Sequence, residues 1–332
     1  MRESRSESSA DADGGAGEDR GWDAGRDTER GSERRSDGGT GTGAHAGSGT
    51  GAQTGSGNGA YAFEQTVAVQ AAEEAGALLR AGFRQAHTVR SKGEGGDVVT
   101  DLDLAAEKVI LDRLRTHFPH ERIVSEEAGL LDAHGSRTWL VDPLDGSNNV
   151  AIGLTAYAVG IALCVDGSPV VGVVHEPVTG RTWRATAGRG AWCGTARVGG
   201  PCGTLPRSGP VLAWTQGHAV ARGDERALAL RGALELHSRR VLQLWAPLLG
   251  WTMLASGTID GYVGYRAEGI DFPAGALLAA EAGVEFRTLS GGEFQVGFDG
   301  PDSGRSFVAA RGETLPHLVD LAGRAGAGNT TS

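Results

Sequence analysis

The stretch Thr138-Trp139-Leu140-Val141-Asp142-Pro143-Leu144-Asp145-Gly146-Ser147 decides how this chain is read. Its first four residues form a short apolar run of strand type, followed directly by turn residues. Asp142 and Asp145 stand at the end of that run, in a turn set by Pro143 and Gly146. Proline fixes its own φ and removes a backbone donor, and Asp-Gly favours a tight reversal. Both acids can then point into one small space. Carboxylates crowded together repel unless a proton or a cation intervenes. Because all the available donors are oxygens, a hard divalent metal is the cation that fits.

Taken singly, each acidic motif has an ordinary reading. An Asp-Gly turn is usually only a turn, Glu126-Glu127 a solvated pair, and Asp271 a helix cap ahead of Pro273. The order changes the reading. Upstream of the turn lie Val99-Thr100-Asp101-Leu102-Asp103 and Ile123-Val124-Ser125-Glu126-Glu127; downstream lies Gly269-Ile270-Asp271-Phe272-Pro273-Ala274-Gly275. In this order and at these separations the four motifs resemble the inositol monophosphatase family, magnesium-dependent and lithium-sensitive phosphatases of small molecules. The resemblance covers about residues 60–325.

The resemblance implies an α-β-α-β-α layered sandwich with the metal site where two lobes meet, the lobe boundary falling near residues 200–210. It implies two or three Mg2+ ions. Glu126, Asp142 and the Leu144 backbone carbonyl would hold the first; Asp142, Asp145 and Asp271 the second; Glu126 and waters a weaker third. Asp103, rather than Asp101, would pair with Ser147 to orient and help deprotonate a metal-activated water. The backbone N–H groups of Gly146 and Ser147 would face the phosphate, and Lys92 would stand near the third metal. In-line attack would release alcohol and inorganic phosphate without a covalent phosphoenzyme. A homodimer is the default assembly.

Three departures bear on the substrate. Ile270 replaces the tryptophan that the family carries before the last aspartate, and Phe272-Pro273 sits inside that motif. Gly264 occupies the position where inositol-specific members carry a glutamate. The family's small-residue segment aligns with Leu244-Trp245-Ala246-Pro247, where the indole either packs in the core or stacks on a substrate ring. The expected activity is therefore hydrolysis of a small biosynthetic phosphomonoester: a sugar, cyclitol or amino-alcohol phosphate. The alternatives are a nucleotide phosphatase acting on a nucleoside 3′- or 5′-monophosphate, and a non-catalytic metal-binding relative.

Composition bounds the rest. Residues 1–59 are Gly, Ser, Ala, Thr, Arg, Asp and Glu with almost no large apolar side chain. Such a segment cannot bury enough area to offset its ordering entropy, so a disordered tail is expected, with a flexible linker over 38–59. It has no apolar h-region and contains acids throughout, unlike a secretory or transit leader. Residues 326–332 read as a flexible end. A net charge of −10 argues against a partner that is a nucleic-acid polymer. The longest apolar run, 150–165, is too short and interrupted for a membrane helix. Cys164, Cys193 and Cys202 form no metal or disulfide pattern, which favours reduced thiols and a cytoplasmic setting. The histidines show no paired ligand spacing and read as surface or structural residues.

Periodicity and breakers predict helices over 62–84, 104–117, 245–257, 273–282 and 315–322, and strands over 156–165, 169–175, 182–187, 211–215, 284–288 and 306–310. Asp166-Gly167-Ser168 predicts a hairpin. By themselves these elements support only an α+β or layered α/β fold.

Overall fold

The computed structural model describes residues 59–85, 88–92, 97–131, 135–200, 209–298 and 304–327. Apart from Gly59, the expected tail and linker lie outside the described residues, as do 201–208 of the expected lobe boundary and 328–332 of the expected flexible end.

Five layers are stacked. The outermost holds helices α1 (Ala62–Gly82) and α2 (Asp101–His117), with a small hairpin of β1 (Val89–Lys92) and β2 (Asp97–Thr100) between them in sequence. Next comes an eight-stranded sheet. Its strands are β3 (Arg122–Ser125), β4 (Gly129–Leu131), β5 (Arg137–Asp145), β6 (Ala158–Val165), β7 (Ser168–Glu176), β8 (Arg181–Thr186), β9 (Ala191–Cys193) and β10 (Ala196–Val198). They run in the order β10-β9-β8-β7-β6-β5-β3-β4, and the short helix α3 (Ser147–Ala151) follows β5. A second sheet is built from β11 (Val211–Gln216), β12 (Arg240–Leu242), β13 (Gly261–Tyr265), β14 (Glu285–Thr288) and β15 (Phe307–Ala310), in the order β12-β11-β13-β15-β14. Helices α5 (Pro247–Ala255) and α6 (Phe272–Glu281) fill the space between the sheets, and α4 (Glu225–His237) and α7 (Thr314–Ala327) cover the far face.

Each interface has its own core. Under α1 and α2, small residues (Ala68, Ala71, Ala72, Ala75) let α1 lie close to the sheet, against Ile161, Leu163 and Val173. Between the sheets, Trp251 is enclosed by Tyr262, Phe307 and Phe272, with ring centroids 4.7, 5.1 and 5.6 Å away. Phe272, one of the residues that depart from the family motif, is thus a core residue, while Ile270 is only partly buried against the same cluster.

At Gly76, α1 passes close to His175 of β7. A Cβ there would stand 2.2 Å from the His175 ring carbon Cδ2. His175 is buried and fixed: its Nδ1 lies 3.0 Å from Thr182 Oγ1, whose hydroxyl donates to Glu73 at 2.7 Å. Thr182 has spent its proton on Glu73, so His175 donates from Nδ1. Helix propensity alone would make Gly76→Ala stabilising by up to about 1 kcal/mol. The close approach reverses the sign, and a net loss of about 2 kcal/mol is expected in denaturant titration. A more stable variant would contradict this packing.

Most predicted strands are found within two residues of their expected bounds. Asp166 and Gly167 have φ of 48° and 75°, the left-handed pair that a type I′ hairpin needs. Three readings need correction. The helix expected over 245–257 begins at Pro247, because Trp245 has φ 54° and cannot be helical. Helix α7 continues to Ala327, into the segment read as a flexible end. Helix α4 was not anticipated: Ala227, Leu230 and Leu234 are buried, but Leu228 and Leu236 are exposed, so apolar residues on several sides blur the helical period. Among the described residues no helix is long and apolar enough to cross a membrane.

Candidate active site

The Asp-Pro turn works through a bulge. Asp142 pairs with Gly160 of β6, and Asp145 pairs with Ala158. Three steps along β5 match two along β6, so one extra residue is inserted. Residues three apart in a regular strand face opposite sides. The inserted residue restores parity, and Asp142 and Asp145 line the same cleft. Pro143 suits the bulge because it has no N–H to leave unpaired. Gly146 then turns the chain at φ 101°, where a Cβ would meet the Ala156 carbonyl at 2.8 Å. Ser147 opens α3 directly behind it.

Ser147 Oγ reaches Asp103 Oδ1 and lies 2.9 Å from the Leu144 carbonyl. Asp103 is the third residue of α2. Its other oxygen accepts from the Thr100 backbone N–H at 2.8 Å and from the Thr100 hydroxyl, closing a capping box. Helical phase turns Asp103 inward and leaves Asp101 exposed. Burial pushes the Asp103 carboxyl above its ordinary range, outweighing the hydrogen bonds from Ser147 and Thr100.

Asp142, Asp145 and Asp271 are all buried, and no lysine or arginine forms an ion pair with any of them among the described residues. Asp142 accepts from Leu144 N at 3.1 Å and Asp145 from Leu248 N at 2.7 Å. Asp271 stands at the N-cap of α6 but caps nothing with its side chain. Burial, followed by the charges of neighbouring acids, pushes Asp142 and Asp145 well above the carboxylate range and Asp271 up to about 7. Three like-charged groups in one low-dielectric place cannot all ionise without a counter-cation.

Glu126 arrives on the turn after β3. That turn is held by the buried Glu107 carboxylate, which accepts from the Ser125 hydroxyl and from Ala128 N at 2.9 Å. Lys92 bonds both Glu126, at 2.9 Å, and Glu127. Burial opposes the charge of Lys92, but the two acids overcome it and hold the ammonium above its ordinary range. One ammonium neutralises only one acid. Burial and the Glu126 charge therefore still push Glu127 up to about 7 despite Lys92.

Oxygen-only donors in a buried anionic cluster fit a hard divalent cation such as Mg2+ and do not fit a soft metal. As the side chains stand, no three His, Cys, Asp or Glu groups among the described residues are gathered tightly around one ion position.

The acids line a cleft of about 720 Å³, and Leu144, Gly146, Ser147 and Trp245 line it with them. Asp97, His218 and Glu268, which the sequence did not single out, line it too. His218 Nδ1 is 3.1 Å from Asp97 Oδ2, and His218 N donates to Glu268 at 2.6 Å. The Asp97 hydrogen bond, working against burial, raises the His218 pKa. Burial would raise Asp97, yet the hydrogen bond and charge of His218 leave it below the usual range. No local pattern announces this pair, since its members come from β2 and from the loop after β11.

A sequence model of the inositol monophosphatase family matches residues 63–324. The chain belongs to the inositol monophosphatase family. It is 31% identical over 228 residues to the Nus factor SuhB of Escherichia coli K12, covering 68% of this chain and 85% of that protein. It is 32% identical over 244 residues to the chloroplastic phosphatase IMPL1 of Arabidopsis thaliana, covering 68% and 60%. The solved Thermotoga maritima IMPase matches the fold with a TM-score of 0.68 at 25% identity, covering 79% of this chain and 98% of that one. The five layers are this family's sandwich, and the family is one of metal-dependent phosphatases, generally using Mg2+.

Against that family frame, two departures acquire a structural meaning. Gly264 is buried in β13, where a Cβ would meet the Phe307 ring at 2.2 Å, so the position cannot carry a glutamate without rebuilding the core. Trp245, which the sequence left between core and ligand platform, is 58% exposed at the cleft.

Proposed function

We propose that this chain is a Mg2+-dependent phosphomonoesterase that hydrolyses a small phosphorylated metabolite to alcohol and inorganic phosphate. One observation carries the reading: three buried carboxylates, with no lysine or arginine ion pair among the described residues, line the same cleft as Ser147, whose hydroxyl is bonded to Asp103. Asp142, Asp145 and Asp271, with Glu126 and the Leu144 carbonyl, would hold the ions. When bound, magnesium lowers the pKa of water and offsets charge on the phosphoryl oxygens.

The remaining work falls to the chain's own groups. Ser147 Oγ has one proton and two acceptors, Asp103 Oδ1 and the Leu144 carbonyl. With that proton directed to Asp103, a lone pair of Oγ is free to accept from an attacking water. The raised proton affinity of buried Asp103 suits it to the far end of this relay. Gly146 and Ser147 would bring backbone N–H groups toward the phosphate. The non-catalytic alternative gains nothing from the site, because every residue of the expected set is present at or beside the cleft.

The test is inorganic phosphate release from a panel of sugar, cyclitol, amino-alcohol and nucleoside monophosphates, with Mg2+ and with EDTA. Release that requires Mg2+ is expected. A folded, Mg2+-binding protein inactive on all members would overturn the proposal. We also propose residues 60–325 as the catalytic domain. Removing residues 1–59 is then expected to leave kcat/KM unchanged, and a large loss would contradict that division.

A further inference from the structure

We infer that Trp245 is a stacking platform for a planar ring in the leaving alcohol, which makes the substrate a phosphomonoester of a ring-bearing alcohol such as a nucleoside. The inference rests on the phosphomonoesterase reading above and names the substrate class for the same cleft.

The backbone is the first ground. Trp245 has φ 54°, in the left-handed region that a bulky side chain rarely enters. Such a conformation persists only where the surroundings over-determine it, and it concentrates at ligand sites. The surroundings here are specific. The buried Asn149 amide gives one N–H to the Ala156 carbonyl and the other to the Leu244 carbonyl, both at 2.6 Å. Leu248 N is bonded to Asp145 at 2.7 Å, and Ala246 between them is buried. The turn that carries Trp245 is therefore tied to α3 on one side and to the acid turn on the other.

The side chain is the second ground. An indole held this way and packed inward would be a core residue. Instead Trp245 is 58% exposed, and no aromatic ring among the described residues stacks on it. It lines the cleft that also holds Asp145 and Ser147. An exposed indole in the lining of such a cleft can offer its flat apolar face to a ligand with a flat face. Arg222 and Arg231 line the same cleft, and guanidinium planes also stack on rings.

The third ground is what a polyol would need. The position that would present an acid to hydroxyls is Gly264, packed against Phe307. Of the two cleft acids outside the proposed ion-holding set, Asp97 is paired with His218 and Glu268 accepts the His218 backbone N–H at 2.6 Å, so both are already engaged.

The test compares wild type with Trp245→Ala, Trp245→Leu and Trp245→Phe in Mg2+. Planar-ring esters are adenosine 3′- and 5′-monophosphate, uridine 5′-monophosphate and an imidazole-bearing amino-alcohol phosphate. Esters without a planar ring are glycerol 2-phosphate, glucose 6-phosphate and myo-inositol 1-phosphate. The readout is the ratio of kcat/KM for the best planar-ring ester to that for the best ester without one. Wild type is expected to favour a planar-ring ester. The ratio is expected to fall about tenfold or more in the Ala and Leu variants and to survive in the Phe variant. A wild-type preference for an ester without a planar ring, or an unchanged ratio in Trp245→Ala, would overturn the inference.

Calorimetric titration with adenosine 5′-monophosphate separates the two proposals. If wild type hydrolyses no ester, the phosphatase reading fails. The platform still stands if the nucleotide binds wild type and not Trp245→Ala, and it falls if both bind equally or neither binds.

Discussion

Asp145→Asn is expected to lower turnover of any phosphomonoester by about a thousandfold while the protein stays folded. The substitution keeps the shape of the side chain and one carbonyl oxygen, so the bond from Leu248 N, 2.7 Å in the wild type, can be retained. What is lost is the charge that a hard cation needs. The effect on stability should run the other way. Asp145 is buried, and burial and the Asp271 charge hold its carboxyl well above the ordinary range. Removing one of the mutually repelling acids should raise the melting temperature of the metal-free protein. Loss of activity with equal or higher metal-free stability is the combined signature. Wild-type turnover in this variant would remove Asp145 from the site, and a collapsed fold would assign it a structural role instead.

Mg2+ is expected to stabilise the protein much more at pH 8 than at pH 5. Burial holds the Asp271 carboxyl up to about 7, against an unfolded value near 3.8. Below pH 4 both states are protonated and the acid costs nothing. Between about 4 and 7 the unfolded chain has lost this proton and the folded chain still holds it, so stability falls as pH rises. Above about 7 the folded protein carries the full electrostatic penalty. Asp142 and Asp145 are displaced in the same direction. A divalent cation removes that penalty, and its binding competes with the protons. The Mg2+-induced rise in melting temperature should therefore grow across this window, by on the order of 5 °C or more. A shift independent of pH would mean that the cation binds somewhere other than these acids.

Much of the site was legible because its parts are local. A strand end, a proline, a glycine and two acids mark the acid turn in the sequence, and the serine after them is part of the same turn. Motif position favours Asp103 over Asp101, and the helix supplies a reason: the third residue of α2 faces inward and the first faces solvent. Contacts between distant elements were not legible. The Asp97–His218 pair joins β2 to the loop after β11, and neither residue carries a local mark of it. Glu107, which holds the Glu126 turn, reads in sequence as one more surface acid on an amphipathic helix. Trp245 stays open in the sequence between core and ring platform, because composition says nothing about a left-handed φ. For the fold, strand alternation and the Asp-Gly hairpin carried through to the structure, while α4 escaped because its apolar residues face both ways.

The most direct test of the central claim is anomalous diffraction from crystals grown with Mn2+, a stand-in for Mg2+, and inorganic phosphate. The expected map has at least two anomalous peaks about 4 Å apart, touching Asp142, Asp145, Asp271 and Glu126, with phosphate spanning them beside Ser147. Peaks only at surface acids, or an acid cluster with no peak at saturating Mn2+, would contradict it.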